Sequence, residues 1–283
     1  MSAGVGAAAR PEPKGSGLLT RVLTGVVLLA ILVGLALSGR WGVWVLVVLA
    51  GGVGLWEFRS LSARMGYRAP SWMLFPLGFY FAFGSTLLKG VSAESVLALA
   101  LIGGLTVFLF LPGRREGLGR WAMGLAGAVY VGLPFSYYLL LYSAPAPRGV
   151  EWVLSTILTV VISDTAALLV GRRLGRHPFF SRISPHKTAE GALAGLTAAV
   201  LTMLLLGALA LDLKLIQSLT LGLLIGLSAI LGDLVESQMK RMAKVKDASH
   251  LIPGHGGVLD RIDSLLLAPI LVYFFASLAG VLR

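Results

Sequence analysis

Nine long apolar stretches set the strongest limit on what this chain can fold into. A helix that spans the hydrocarbon core of a bilayer needs about 20 mostly apolar residues, within a range of about 17–25. The stretches are Val22–Ser38, Trp41–Trp56, Trp72–Leu88, Ser95–Leu111, Trp121–Tyr142, Trp152–Val170, Gly191–Leu211, Leu215–Val235 and Ser264–Leu282. The sequence therefore predicts an all-α polytopic membrane protein with about nine transmembrane helices.

The residue composition excludes several other classes of protein. Hydrophobic residues make up 57% of the 283 residues and charged residues only 13%. Soluble domains carry about 45–50% hydrophobic and about 25% charged residues. Neither a soluble enzyme nor a disordered chain fits these values. Because the chain has no Cys, disulfides, thiolate zinc sites, cysteine-ligated iron–sulfur clusters and a Cys nucleophile are excluded.

The distribution of basic residues predicts the orientation of the helices. A formal net charge of +11 would suggest nucleic acid in a soluble protein, but in membrane proteins Lys and Arg collect in cytoplasmic loops. We therefore predict no nucleic-acid partner. From the first residue onward, the segments between the apolar stretches hold 3, 1, 3, 1, 3, 1, 5, 1, 5 and 1 basic residues. This alternation predicts nine spans, with the amino terminus in the cytoplasm and the carboxyl terminus outside.

The spans divide the chain into three regions. Residues 1–17 are rich in Ala, Gly and Pro and are expected to form a disordered cytoplasmic tail. Residues 18–150 would form an amino-terminal transmembrane region of five spans. Residues 151–283 would form a catalytic transmembrane region of four spans with two cytoplasmic polar loops. A cleaved signal peptide is the alternative for the first stretch, but its apolar run exceeds the about 7–15 residues of such peptides.

Ionisable residues concentrate in the last third of the chain. If the eighth span continues as a helix into the cytoplasm, one of its faces carries polar residues at i, i+4, i+7 and i+11. These are Asp233, Ser237, Lys240 and Lys244. The first five spans have almost no ionisable residues, and Glu57, at the end of the second span, is the exception. A structural role, in which Glu57 pairs with Arg59 or Arg64, is favoured.

A glycine-rich turn and two carboxylates follow that helix. The run Ile252-Pro253-Gly254-His255-Gly256-Gly257 breaks the helix and lets backbone N–H groups approach a ligand closely, as phosphate loops require. Asp260 and Asp263 then lie at i and i+3 before the ninth span, facing Asp233. Carboxylate oxygens suit Mg²⁺, and acids interleaved with bases suit metal-assisted phosphoryl or nucleotidyl transfer.

A second polar cluster lies between the sixth and seventh spans. Asp164 is an acid inside an apolar helix, which makes it a functional candidate, and Lys187 and Thr188 precede a helix whose amino terminus favours an anion. An ion-coupled secondary transporter would use Asp164 and Asp233 as coupling acids, but such proteins usually show paired repeats, and none is visible. A different lipid-linked nucleotidyltransferase or phosphotransferase is a third alternative. Charge concentrated at one membrane face favours a transferase.

The residues from Ser237 to Asp263 resemble the signature of the phosphatidate cytidylyltransferases (CDP-diacylglycerol synthases). The matching pattern is Ser237-x-Met239-Lys240-Arg241-x4-Lys246-Asp247-x-Ser249-x2-Ile252-Pro253-x-His255-Gly256-Gly257-Val258-x-Asp260-Arg261-Ile262-Asp263. Similarity extends to Gly232-Asp233, Asp164-x-x-Ala167-x-x-x-Gly171 and Ser184-Pro185-x-Lys187-Thr188-x-Glu190-Gly191. Two residues differ from those of many family members, which have an aromatic residue in place of Leu168 and a larger one in place of Ala189. These differences affect the expected packing or lipid preference, not the expected reaction.

The resemblance implies the reaction CTP + phosphatidate → CDP-diacylglycerol + pyrophosphate, with Mg²⁺ and an optional second cation. It also implies a multi-pass protein of the cell membrane, and it is compatible with a homodimer. Phosphatidate is a phosphate monoester whose second pKa is about 6, so it is largely dianionic at neutral pH and needs no strong general base. His250 and His255 are therefore favoured as hydrogen-bonding or loop-shaping groups.

The predicted site residues have overlapping roles. Asp233 and Asp260 are the expected main metal ligands, with Asp263 as a third or outer carboxylate. Catalysis is assigned to Asp233, Lys240, Arg241, Lys246, Asp260 and Asp263. The basic side chains among them, together with Lys187, would hold the phosphates of CTP or the head group of phosphatidate. Substrate binding is assigned to Lys187, Thr188, Ser237, His255, Gly256, Gly257 and Arg261. For Arg261, the alternative is a loop-fixing pair with Asp247 or Asp263.

Overall fold

Helices account for most of the described chain. The computed structural model describes residues 18–88, 90–109, 115–145, 148–252, 254 and 256–282; the predicted tail 1–17 and His255 lie outside these ranges. The helices are α1 (Leu18–Leu37), α2 (Arg40–Arg64), α3 (Ser71–Leu87), α4 (Ala93–Leu109), α5 (Arg115–Gly127), a π-helical turn (Ala128–Gly132), α6 (Leu133–Tyr142), α7 (Arg148–Leu174), α8 (Ala189–Leu209), α9 (Leu215–Met242) and α10 (Leu259–Leu278). No β-strand occurs within the described ranges, which confirms the all-α prediction.

The predicted apolar stretches correspond to these helices, the fifth to α5 and α6 together. By length and composition, six helices of the described chain can cross a membrane: Arg40–Arg64, Glu116–Tyr142, Arg148–Leu174, Ala189–Leu209, Leu215–Met242 and Leu259–Leu278. Shorter apolar helices cover Leu23–Leu37, Ser71–Gly84 and Ala93–Val107. The chain is a multi-pass membrane protein, and nine crossings and the orientation of the termini stay predictions.

A π-helical turn interrupts the fifth predicted span. It ends at Gly132, and Pro134 follows. Because Pro has no N–H to donate to the carbonyl four residues earlier, a π turn is one way for the helix to accommodate the gap. A Cβ on Gly132 would lie 2.3 Å from the carbonyl oxygen of Gly78. Glycine therefore lets this turn pack directly against the backbone of α3.

Helix α8 packs against α7 and α9 through a stripe of mostly small residues. Its buried positions recur every four residues: Gly191, Gly195, Ala199, Met203 and Gly207. Such stripes let membrane helices approach closely, and the Ser163 hydroxyl of α7 donates to the carbonyl oxygen of Gly195 at 3.0 Å. The opposite face of α8 is apolar and exposed, as a lipid-facing surface is, at Leu193, Leu201, Leu205 and Leu209.

The four helices α7 to α10 bring both polar loops to one end of the molecule. Loop 175–188 joins α7 to α8 and loop 243–258 joins α9 to α10. Lys187 of the first loop pairs with Asp233 in the carboxyl-terminal part of α9, so both loops lie at this end. At the other end, Arg148 of α7 pairs with Asp212 of the α8–α9 loop at 2.9 Å. α10 also packs on α6, where the Tyr138 hydroxyl donates to the carbonyl oxygen of Leu265 at 3.1 Å. The carboxyl-terminal helices and the amino-terminal half thus share one core.

Candidate active site

The first polar loop is held in shape by short-range contacts. The N–H of Phe179 donates to the carbonyl oxygen of Lys187 at 2.8 Å. The N–H of Ala189 donates to the carbonyl oxygen of His177 at 2.9 Å. Nδ1 of His177 lies 2.5 Å from a carboxylate oxygen of Glu190, in the first turn of α8. These contacts place Lys187 directly before the amino terminus of α8.

Lys187 and Asp233 form an ion pair that joins the first loop to α9. Nζ of Lys187 lies 2.6 Å from Oδ2 of Asp233, and the Ser237 hydroxyl donates to Oδ1 of Asp233 at 3.1 Å. Thr188 caps α8, because its Oγ1 accepts the N–H of Gly191 at 3.2 Å. The Lys187 and Asp233 side chains remain 23% and 35% exposed, so this pair is accessible to an anionic ligand.

Lys240 lies deeper, between two buried carboxylates. Its Nζ lies 2.6 Å from Oδ1 of Asp260 and also forms an ion pair with Glu236, one turn earlier on α9. The Lys240 side chain is 16% exposed, that of Asp260 2% and that of Glu236 0%. The ammonium group therefore neutralises internal carboxylates, although its position in the sequence predicts contact with a phosphate.

Asp260 organises the glycine-rich turn. Its Oδ2 accepts the N–H of Gly257 at 2.7 Å and that of Ala248 at 2.8 Å. The turn is closed by the N–H of Ile252, which donates to the carbonyl oxygen of Gly256 at 2.8 Å. Gly256 has a φ of +80°, a conformation that favours glycine. The N–H of Gly257, predicted to contact substrate, is thus used within the protein.

Three aspartates from three helices come within electrostatic range of one another. Asp263 of α10 interacts with Asp233 of α9 and with Asp164 of α7. The close approach of α9 and α10 depends on Gly232, where a Cβ would lie 2.3 Å from the carbonyl oxygen of Asp263. Asp263 is buried, and its Oδ1 accepts the N–H of Ser264 at 2.7 Å. The structure thus joins both polar clusters into one site.

The three predicted metal ligands do not form a ready-made cage. Across the described ranges, no three acidic or histidine side chains are grouped so that they could hold a metal ion. Asp260 is directed toward Lys240 and the glycine-rich turn. Asp233 and Asp263, in contrast, remain close enough to interact electrostatically. The structure therefore brings two of the three carboxylates together.

The predicted polar face of α9 is too long at its carboxyl end. The helix ends at Met242, and Lys244 beyond it has a φ of 55°. The N–H of Val245 donates to the carbonyl oxygen of Lys240 at 3.0 Å, as in a Schellman motif. Lys244 therefore does not continue the face that carries Asp233, and this part of the prediction is wrong.

The remaining basic residues lie at the rim of the site. Nε of Arg241 donates to the carbonyl oxygen of Ile183 at 2.9 Å, which fixes the side chain against the first loop. Lys246 and Arg261 are exposed. The charge of Arg261 acts on Asp164. Within the described ranges it pairs with neither of the carboxylates predicted for it, Asp247 and Asp263.

Two acids that were not predicted from the sequence as site residues, Glu236 and Glu57, are fully buried in the site. Glu236 is paired with the Lys240 ammonium. Glu57 of α2 accepts hydrogen bonds from Ser249 and from the start of α10. Its predicted pairing with Arg59 or Arg64 is wrong. The sequence did contain a signal for Glu57, which is an acid at the end of an apolar span. Burial of such an acid costs free energy unless it has partners.

The fold and the site together define a multi-pass membrane enzyme with a polar site at one end of its helices. The chain belongs to the cytidylyltransferase family, whose sequence model matches residues 19–279, and it is a nucleotidyltransferase. This confirms the family resemblance predicted from the signature.

Individual relatives show how far the similarity extends. The phosphatidate cytidylyltransferase of Bacillus subtilis (strain 168) is 28% identical over 266 residues, covering 91% of this chain and 97% of that protein. The phosphatidate cytidylyltransferase of Brucella suis biovar 1 (strain 1330) is 32% identical over 263 residues, covering 93% of this chain and 94% of that protein. Phosphatidate cytidylyltransferase 5, chloroplastic, of Arabidopsis thaliana is 44% identical over 134 residues, but the match covers only 47% of this chain and 33% of that protein.

Proposed function

We propose that this chain transfers the cytidylyl group of CTP to phosphatidate. The supporting observation is the accessible Lys187–Asp233 pair, which lies beside two further aspartates at one end of the transmembrane helices. CTP is soluble in water and phosphatidate is held in the bilayer, so the two can meet only at the membrane surface. Loops 175–188 and 243–258 share one end of the helices, which suits such a site.

The proposed reaction is an in-line displacement at the α-phosphorus of CTP. A phosphate oxygen of phosphatidate forms the new bond to that phosphorus, and the bond to the oxygen bridging the α- and β-phosphates breaks, so that pyrophosphate leaves. Because the phosphate monoester is already largely dianionic at neutral pH, no side chain has to remove a proton. Lys187 would exchange Asp233 for a phosphate oxygen, and Arg241 and Arg261 would add positive charge at the rim.

The donor chemistry of the site fits Mg²⁺. Asp233 and Asp263 lie close enough that their ionised carboxylates would repel each other, and a shared cation would relieve this repulsion. Mg²⁺ is often held by one or two carboxylates together with substrate phosphates and water, so a three-carboxylate cage is not required. When bound, Mg²⁺ would neutralise charge on the transferring phosphate. We propose Asp233 and Asp263 as its protein ligands.

Asp260 has a supporting role in this arrangement. A carboxylate offers about four lone-pair sites, and Asp260 uses two on Oδ2 for N–H groups and one on Oδ1 for Lys240. The role of Asp260 as a metal ligand stays a prediction. Its main contribution in this arrangement is to hold the glycine-rich turn beside Asp263.

We further propose nine spans in the cell membrane, with both polar loops in the cytoplasm. Cysteine labelling tests this cleanly because the chain has no native Cys. We expect Arg176→Cys and Lys244→Cys to react with an impermeant maleimide from the cytoplasmic side, since the segments around both positions are rich in basic residues. Lys214→Cys serves as the control and should react from the opposite side. Labelling of positions 176 and 244 from opposite sides would exclude this topology.

A reconstituted assay tests the reaction itself. We expect purified protein with labelled CTP and phosphatidate to form lipid-linked label and pyrophosphate, and EDTA to stop the reaction until Mg²⁺ is restored in excess. Diacylglycerol, which lacks the phosphate, serves as the matched control and should accept no label. If phosphatidate gives no product with Mg²⁺ present, this function is wrong. The homodimer that is compatible with the resemblance stays a prediction, which the size of the active particle tests.

A further inference from the structure

Glu57 is a buried carboxylate in α2 that contacts the glycine-rich turn from the amino-terminal half of the protein. It is 0% exposed. One oxygen accepts the Ser249 hydroxyl at 2.6 Å and the N–H of Val258 at 3.0 Å, and the other accepts the N–H of Leu259 at 2.5 Å. Val258 lies 201 residues further along the chain. This contact therefore joins two distant parts of the sequence.

The partners of Glu57 are the donors that the start of α10 leaves free. The first N–H groups of a helix have no partner within the helix, and Val258, at the cap position, provides no side-chain acceptor. The N–H of Gly257 is satisfied by Asp260, and those of Val258 and Leu259 are satisfied by Glu57. A carboxylate is favourable at this end of a helix because of the helix dipole and the charge-assisted hydrogen bonds.

The glycine at position 257 is explained by the same contact. A Cβ on Gly257 would lie 2.5 Å from Oε1 of Glu57 and 2.8 Å from its carboxyl carbon. No side chain fits between the turn and this carboxylate. Among the residues that the structure describes, no basic side chain forms an ion pair with Glu57. Its interactions are therefore directed at the turn and the helix start.

We propose that Glu57 is a positioning residue for the reaction, which rests on the proposed function. The first two turns of α10 carry Asp260 and Asp263, and Glu57 holds the N–H groups immediately before them. A carboxylate in α2 thus determines where these two aspartates point relative to Asp233 on α9. Glu57 does not touch substrate and acts only through the position of α10.

The test is Glu57→Gln, which keeps the size of the side chain but replaces one acceptor oxygen by an NH₂ group that cannot accept. We expect kcat to fall by about 10- to 100-fold, because small misplacements of reacting groups cost about this much. The KM values for CTP and phosphatidate should stay within about threefold, since Lys187 and the rim arginines remain in place. Hydrogen exchange should show faster exchange of the amides in 248–260 and unchanged exchange in α7 and α8.

The matched control is Glu116→Gln. Glu116 is an exposed acid of α5 that pairs with Arg120 at 3.3 Å, and its substitution should change neither kcat nor hydrogen exchange in 248–260. Unchanged kcat in Glu57→Gln would overturn the proposal. Faster exchange throughout the helices, with a general loss of folded protein, would also overturn it and assign Glu57 to overall stability. The exchange experiment does not depend on turnover. If wild-type protein lacks activity, the proposed function fails while the contact is still tested.

Discussion

Replacing Asp233 by Asn is expected to reduce turnover by about 10³-fold without loss of the fold. The amide keeps the shape and an oxygen that can accept from Ser237, but it removes the charge that balances Lys187 and that we propose binds Mg²⁺. Removing one group that stabilises charge in a transition state typically costs about 10²–10³-fold, and here two roles are lost together. Initial rates with saturating CTP and phosphatidate measure the effect.

Asp212→Asn is the matched control for this substitution. Asp212 lies at the opposite end of the helices, is 76% exposed and, among the described residues, pairs with Arg148, so its charge contributes little to stability. Its φ of 52° is one that Asn adopts readily. The control should retain full activity. Turnover of Asp233→Asn within a few-fold of wild type would remove Asp233 from the metal site.

Replacing Lys240 by Met is expected to destabilise the protein by about 3–5 kcal/mol, the usual cost of removing one partner from a buried ion pair. Met keeps the length and apolar body of the side chain, but the carboxylates of Glu236 and Asp260 lose their shared cation. The free energy of unfolding, measured by SDS titration in mixed micelles, tests this. Lys214→Met, at an exposed position before α9, is the control and should change it by less than about 0.5 kcal/mol.

A second substitution separates the loss of charge balance from the loss of packing. Glu236→Gln removes one of the two unpaired charges, so it should restore at least about 1 kcal/mol when added to Lys240→Met. The same substitution in the wild-type background should destabilise, because it removes a partner of Lys240. If Glu236→Gln has the same effect in both backgrounds, Lys240 and Glu236 do not act as a pair in the folded protein.

The helices and the family of this chain could be predicted from its sequence because both depend on local information. A bilayer selects each helix by the length and apolarity of its own residues, so Leu215–Val235 was recognisable without knowledge of its neighbours. The signature from Ser237 to Asp263 is one continuous segment. Even there the prediction extended α9 too far, because the left-handed turn at Lys244 has no glycine to mark it.

The partners of the charged side chains were decided only by the tertiary structure. Lys240 looked like a phosphate ligand in the sequence, yet the packing of α9 against α10 places it between Glu236 and Asp260. Glu57 looked like a partner for nearby arginines, yet it holds the start of a helix some 200 residues away. A buried charge must find donors or counter-ions wherever the fold supplies them. Sequence spacing alone does not reveal which distant groups those are.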